Sequence, residues 1–290
     1  MKTDKGILFL GPWVIDRVKK FKDGREVIGY HQTGFATSSN SDSPIHNASI
    51  YVISTVVKDA EGKMVDHARL MQLVGASGDV AWAYAIRRAD TKEGEYSFKL
   101  KSGIGCWKNI VGTIKETGFI EERVDSFTHI SLEASFEIGD GDRAQYYEHK
   151  TLYKNSDQGY SFHGAHVHEF QMDLPGCEID NIVLNKQDGV IISEIADSPR
   201  HNATCCDRGY MMRKGDRTLG DVMLLEDTDA EGNVIWIYHE WWYGVGPGIY
   251  EIMGGHGKWS GISGTGRSVS MISKRQDEWF MPTWELSWNI

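Results

Sequence analysis

Residues Asp42–Ala48 read DSPIHNA and residues Asp197–Ala203 read DSPRHNA, the same heptad 155 residues further on. Working outward, Gly78–Tyr84 (GDVAWAY) recurs as Gly232–Tyr238 (GNVIWIY) at an offset of 154. Gly103–Thr113 (GIGCWKNIVGT) recurs as Gly255–Thr265 (GHGKWSGISGT) at 152, and Leu132–Ile138 (LEASFEI) as Trp284–Ile290 (WELSWNI), also at 152. The openings agree more weakly: FLGPWVID from Phe9 and FHGAHVHE from Phe162, at 153. Blocks in the same order with so little drift are the signature of a tandem duplication. The expected organisation is a first repeat over 1–140, a polar linker over 141–161 and a second repeat over 162–290.

Each copy reads as β. Val80, Trp82 and Tyr84 alternate with Ala81, Ala83 and Ala85, the period of a strand. Turn signals such as Asp23-Gly24, Glu61-Gly62, Asp188-Gly189 and Gly246-Pro247-Gly248 recur at short intervals, and no window keeps a helical period over three turns. Short, evenly spaced strands point to an all-β chain of two tandem antiparallel β-barrels, since closure removes exposed edges. A pair of β-sandwiches is the alternative.

The glycine block Gly254–Gly266, GGHGKWSGISGTG, resembles the GGxGxFxGxxG signature of the allene oxide cyclase and dirigent superfamily, and the SPxHN block resembles small bacterial proteins that share that barrel. In that signature a strand, a tight turn and a second strand follow one another. The resemblance implies an eight-stranded antiparallel barrel with an apolar cavity, often assembled as trimers. It also implies steering of cyclisation, isomerisation or coupling of reactive apolar molecules, usually without a cofactor. No residues match the catalytic set of the plant cyclase, and tandem duplication departs from the single-domain pattern, so a homo-oligomer is compatible with the resemblance but not implied for this chain.

Composition bounds the partners. The 290 residues carry a net charge of −10, which argues against nucleic acid and anionic membrane surfaces. No stretch reaches the length of an apolar membrane span, and the run GILFLGPWVI from Gly6 lacks a cleavage site, so a cytoplasmic protein is expected. Cys106, Cys177, Cys205 and Cys206 include no CxxC and read as reduced thiols.

The duplication serves as an internal control, because shared positions read as architecture and differing positions as specialisation. His46 and His201 are shared and read as turn histidines; Trp107 and Trp259 read as packing. After the shared Trp and Tyr, the first copy continues Ala85-Ile86-Arg87-Arg88 and the second His239-Glu240-Trp241-Trp242-Tyr243. On a strand, Trp236, Tyr238, Glu240 and Trp242 share one face. If that face points inward, Glu240 is a general acid or base in an aromatic cavity, Tyr238 polarises a substrate oxygen, and His239 completes the catalytic set. Trp236, Trp242, Trp259, Tyr243 and His256 are then the substrate-binding residues. If it points outward, Glu240 is a surface partner for a Lys or Arg. Arg87 and Arg88 read as an exposed rim.

A second feature, His163-Gly-Ala-His166-Val-His168, has no histidine in the first copy. His166 and His168 at HxH spacing point the same way on a strand and offer ligands for Zn²⁺ or another transition metal. The expected function is a cofactor-independent lyase, isomerase or cyclase acting on a small apolar or aromatic molecule in the second barrel. The alternatives are a metal-dependent hydrolase or carbon–carbon lyase using the histidine cluster, and a non-catalytic ligand-binding barrel.

Overall fold

The structure is a computed structural model that describes residues 1–88, 96–122, 128–140, 153–165, 167–174, 177–275 and 279–290. The first nine strands are β1 (Lys2–Leu10), β2 (Val14–Lys20), β3 (Glu26–Ser38), β4 (Ala48–Lys58), β5 (Met64–Val74), β6 (Val80–Arg88), β7 (Ser97–Ile104), β8 (Ile110–Glu122) and β9 (Thr128–Ile138). The second nine are β10 (Asn155–Gly164), β11 (Val167–Asp173), β12 (Asn181–Ser193), β13 (Thr204–Lys214), β14 (Arg217–Thr228), β15 (Val234–Trp242), β16 (Ile249–His256), β17 (Ser263–Arg275) and β18 (Trp279–Asn289). The second repeat thus begins at Asn155, earlier than the residue 162 expected from its apolar pattern, because the polar residues of 155–161 alternate with buried ones. Two compact units result: Met1–Gly141 with Pro175–Glu178, and Asp142–Leu174 with Ile179–Ile290.

Each unit is a closed antiparallel barrel, as the strand spacing predicts, and its ring has eight strands. In the first, β3 to β9 pair in order and β1 pairs with both β9 and β3, which closes the ring. In the second, β12 to β18 pair in order and β10 pairs with both β18 and β12. The long β3 shares one edge between two neighbours: Gly34–Ser38 pairs with β1, and Glu26–His31 with β2, which lies outside the ring. The switch point is a glycine in both copies. A Cβ at Gly34 would stand 2.0 Å from the Phe9 carbonyl oxygen, and one at Gly189 2.4 Å from that of Phe162.

The repeat motifs are turns that hold these strands. In DSPxHN, the Ser43 and Ser198 hydroxyls accept the backbone N–H of Ile45 and Arg200 at 3.4 and 3.3 Å. Asn47 and Asn202 take the left-handed conformation (φ 46° and 51°), which asparagine tolerates. His46 Nδ1 lies 2.7 Å from the Ser38 carbonyl oxygen, a satisfied turn histidine. The glycine blocks are, as expected, strand, tight 3₁₀ turn (Gly105–Trp107, Gly257–Trp259) and strand, with both tryptophans buried. Among the described residues, no helix is long and apolar enough to cross a membrane, and none of the four cysteines is in a disulfide.

Inward positions follow from the period of two. The first core includes Leu8, Leu10, Ile50, Val52, Leu73, Ala81, Ala83, Phe98, Ile114 and Leu132. At one end of this interior stands a polar network on the same alternation. Arg69 Nη1 pairs with Glu116 Oε1 at 3.2 Å, and Arg69 Nε donates to His67 Nε2 at 3.3 Å. Because Nε2 accepts, the His67 proton sits on Nδ1 and is donated to the Tyr96 hydroxyl, while Tyr30 donates to Nε2 at 2.5 Å. The half-exposed Trp13 stacks on Tyr30 with ring centroids 4.1 Å apart.

Burial, reinforced by Arg69 and Arg87, holds the His67 imidazole well below its ordinary pKa of 6.5. The folded chain therefore resists a proton that the unfolded chain takes up, and stability contributed at neutral pH is lost as pH falls through about 6.5, by up to ~1.4 kcal/mol per pH unit. The slope of unfolding free energy between pH 7 and pH 5 is expected to be steeper in the parent than in His67→Gln by about that amount. Equal slopes from urea titrations at each pH would show that His67 is not held neutral.

Candidate functional site in the second barrel

The second core contains Ile235 and Ile237 of β15 together with Cys205, Met223, Leu225, Tyr250, Ile252, Trp284, Leu286 and Trp288. Alternation then turns His239 and Trp241 toward the interior and sets Trp236, Tyr238, Glu240 and Trp242 on the opposite face of the strand. The register agrees, with Ile237 opposite Leu225 and His239 opposite Met223. The inward placement on which the reading of Glu240 as a cavity base depended is therefore corrected. That face is nonetheless buried, and so is the carboxylate. Tyr238 donates to Glu240 Oε2 at 2.8 Å and Trp242 Nε1 donates to Oε1 at 2.5 Å, both from the same strand.

His239, by contrast, faces the interior. Its Nδ1 lies 3.1 Å from Asp221 Oδ1, and its ring packs 5.1 Å from that of Tyr250. Its Nε2 is buried and has no hydrogen-bond partner among the described residues. A Cβ on Gly248 would meet Nε2 at 2.4 Å, so Nε2 packs against Gly248 at a distance that only glycine permits. The first barrel fills the equivalent space with Tyr96: Glu116 N donates to Tyr96 O as Ser268 N donates to Gly248 O, each at 2.8 Å. Where His239 stands opposite Met223, the first barrel has Ala85 opposite Arg69. Alanine with tyrosine in one copy is exchanged for histidine with glycine in the other.

Deeper along the same interior, Arg200 is fully buried and pairs with Asp227 through Nε–Oδ2 at 2.8 Å. Its guanidinium lies over Trp284 (4.6 Å) and Tyr250 (5.5 Å). Burial pushes the Tyr250 phenol up to about 12 against the pull of Arg200, so it stays a donor at neutral pH. Burial likewise raises Asp227 to about 6, with Arg200 drawing it back down. Beside this pair, His163 Nδ1 lies 3.1 Å from Asp207 Oδ2 and 3.7 Å from Cys205 Sγ. Burial, then Asp207 and Asp227, holds the Cys205 thiol well above its ordinary range.

The remaining residues singled out from sequence are dispersed. Trp259 is part of the barrel core, with Lys258 over its ring. Trp236 and Trp242 are buried on the face away from the core, and Trp242 is tied to Glu240. Tyr243 is 59% exposed beneath Arg217, and His256 is half-buried at the end of β16. His168 is exposed on β11, outside the ring of strands, and His166 lies outside the described residues. Arg87, read as a rim residue, lies over the Tyr96 ring at 5.8 Å.

Sequence reasoning passed over Arg200, Cys205, Asp207, Asp221, Asp227 and Tyr250. A signal was available: their equivalents are Ile45, Ile50, Val52, His67, Leu73 and Phe98, so five apolar inward positions of the first copy are polar in the second. His163 likewise replaces Leu10, as the pairings His163–Gly189 and Leu10–Gly34 show.

No protein-family model matches the chain, and no curated protein matches it. Among solved structures, 98% of the chain aligns with 92% of a Nitrosomonas europaea protein provisionally described as AttH, at 9% identity and a TM-score of 0.15. That likeness is too low to carry an argument, and the fold rests on the strand pairing itself.

Because Glu240 accepts two buried donors, Glu240→Gln turns an amide NH₂ toward one of them. The change is expected to lower stability by about 1–3 kcal/mol, the cost of a buried donor left without an acceptor. Denaturant unfolding of both proteins measures it; an equally stable Gln variant would show that the two-donor arrangement contributes nothing.

Proposed function

We propose that the chain is an acid–base enzyme of the lyase, isomerase or cyclase type. It acts on a small, mostly apolar or aromatic molecule in the interior of the second barrel, with His239 as the group that moves the proton. The observation that carries this reading is a buried imidazole with a carboxylate oxygen 3.1 Å from Nδ1 and an Nε2 without a hydrogen-bond partner among the described residues. A carboxylate beside Nδ1 favours the tautomer that leaves Nε2 bare and the imidazolium formed once Nε2 has accepted a proton. Tyr250, kept protonated by burial, and the Arg200 guanidinium beside it supply donors for an oxygen on which charge develops. Such a proton transfer needs no cofactor. The resemblance of the glycine block to allene oxide cyclase and dirigent barrels supports the apolar character of the substrate.

Hydrogen–deuterium exchange tests the reading on a range of candidate substrates at once. A panel of aromatic and polyketide-like carbonyl compounds is incubated with the protein in D₂O, and label at carbon is read by mass spectrometry. Protein-dependent uptake is expected, reduced roughly 10²- to 10⁴-fold in a folded His239→Gln variant. Compounds that bind without taking up label would favour a carrier barrel instead. Uptake unaffected by His239→Gln would remove His239 from the mechanism.

A further inference from the structure

Inside the second barrel, His163, Cys205 and Asp207 offer one ligand atom each, all within 4.8 Å of one another. We infer that these three residues form a binding site for one divalent transition-metal ion, with zinc the best match, a site distinct from the Asp221–His239 pair. On β13 and β14, Cys205 pairs with Asp227 and Asp207 with Leu225, whereas His239 of β15 pairs with Met223. The three ligands therefore sit one and two inward-facing levels along the strands from His239.

The geometry fits. A tetrahedral ion with bonds of about 2.1 Å to nitrogen, 2.3 Å to sulfur and 2.0 Å to oxygen separates its ligand atoms by roughly 3.3–3.6 Å. Nitrogen to oxygen is 3.1 Å here and nitrogen to sulfur 3.7 Å. Imidazole, thiolate and carboxylate are the donor types that such an ion selects, and three protein ligands leave a fourth position open.

Independent support comes from polar atoms left over in the same interior. Asp207 Oδ1 and Asp227 Oδ1 have no hydrogen-bond partner among the described residues, although both side chains are more than nine-tenths buried. Arg200 balances one of these two carboxylates through its 2.8 Å contact with Asp227, and Asp207 faces the His163 imidazole at 3.1 Å. A divalent ion that takes Cys205 as thiolate, releasing its proton to solvent, brings the group to neutrality: two carboxylates and a thiolate against the guanidinium and the ion. Packing does not require these residue types, since the first barrel fills the equivalent positions with Leu10, Ile50 and Val52.

Cobalt(II) titration of the chelator-treated full chain tests the site. One equivalent is expected to produce tetrahedral d–d absorption together with a thiolate-to-cobalt charge-transfer band. Cys205→Ser should abolish the charge-transfer band. Cys206→Ser, whose side chain lies on the opposite face of β13, should keep it. Asp207→Asn should weaken binding at least about tenfold. A folded parent chain that takes up no cobalt would overturn the proposal, and so would a charge-transfer band that survives Cys205→Ser. Cobalt held without any thiolate band would also overturn it, by placing the ion on other ligands. These readouts involve no turnover, so they stand or fall apart from the role proposed for His239.

Discussion

Closing an eight-stranded sheet on itself leaves an interior just wide enough for side chains to fill. In this chain closure depends on a single strand in each copy, β1 or β10, pairing on both of its edges, and on a glycine in the neighbouring long strand that lets the two backbones meet. Once the ring is shut, the alternation of every strand is fixed, and each inward residue meets residues from strands remote in sequence. A charged residue at such a position has no water to turn to and must find its counter-charge inside the same barrel. Arg69 does so with Glu116 in the first barrel, and Arg200 with Asp227 in the second.

The two barrels use this constraint differently. The first concentrates its polar groups around His67 and keeps the rest of its interior apolar. The second carries charge at positions where the first has Ile45, Val52 and Leu73. Stability does not explain the exchange: well-packed apolar residues in place of a buried ion pair are often neutral or stabilising, by about 1–4 kcal/mol. Steric demand does not explain it either, because the first copy shows that the same backbone closes around apolar side chains. The exchange of Ala85 and Tyr96 for His239 and Gly248 makes the same point at the scale of one contact: bulk moves from the residue before one strand to the neighbouring strand.

The duplication and the β class were legible in the sequence because both are local: motifs repeat in order, and turns punctuate short strands. Which face of β15 points inward was not. In Val234-Ile-Trp-Ile-Tyr238 both faces are apolar and all five residues are buried, so alternation carries no contrast between inside and outside. Only pairing to β14, whose Met223 and Leu225 belong to the core, settles it. The polar cluster was half legible. The stretch from His163 to His168 stands out as histidine-rich, yet its inward member is His163, and the ligand-bearing neighbours come from β13, more than forty residues away. The single difference between DSPIHNA and DSPRHNA already contained Arg200, but a one-residue change inside a shared turn reads as surface variation until the turn is seen to aim that residue into the barrel.

Glu240 and His239 are adjacent in sequence, and the structure separates their chemistry. Residues two apart on a strand project from one face, so a carboxylate flanked at both such positions by a phenol and an indole finds its donors without leaving its own strand. Both oxygens of Glu240 are engaged in this way, which makes it the centre of a small self-contained network rather than a group free to take a substrate proton. One residue earlier the chain points the other way. His239 has its neighbouring carboxylate on β14 and packs against a glycine just before β16, so its arrangement exists only in the closed barrel. An imidazole set between a carboxylate from across the sheet and a glycine from a third element is assembled by tertiary structure. This is why the residue types flanking Glu240 do not reveal which side of the strand faces the interior.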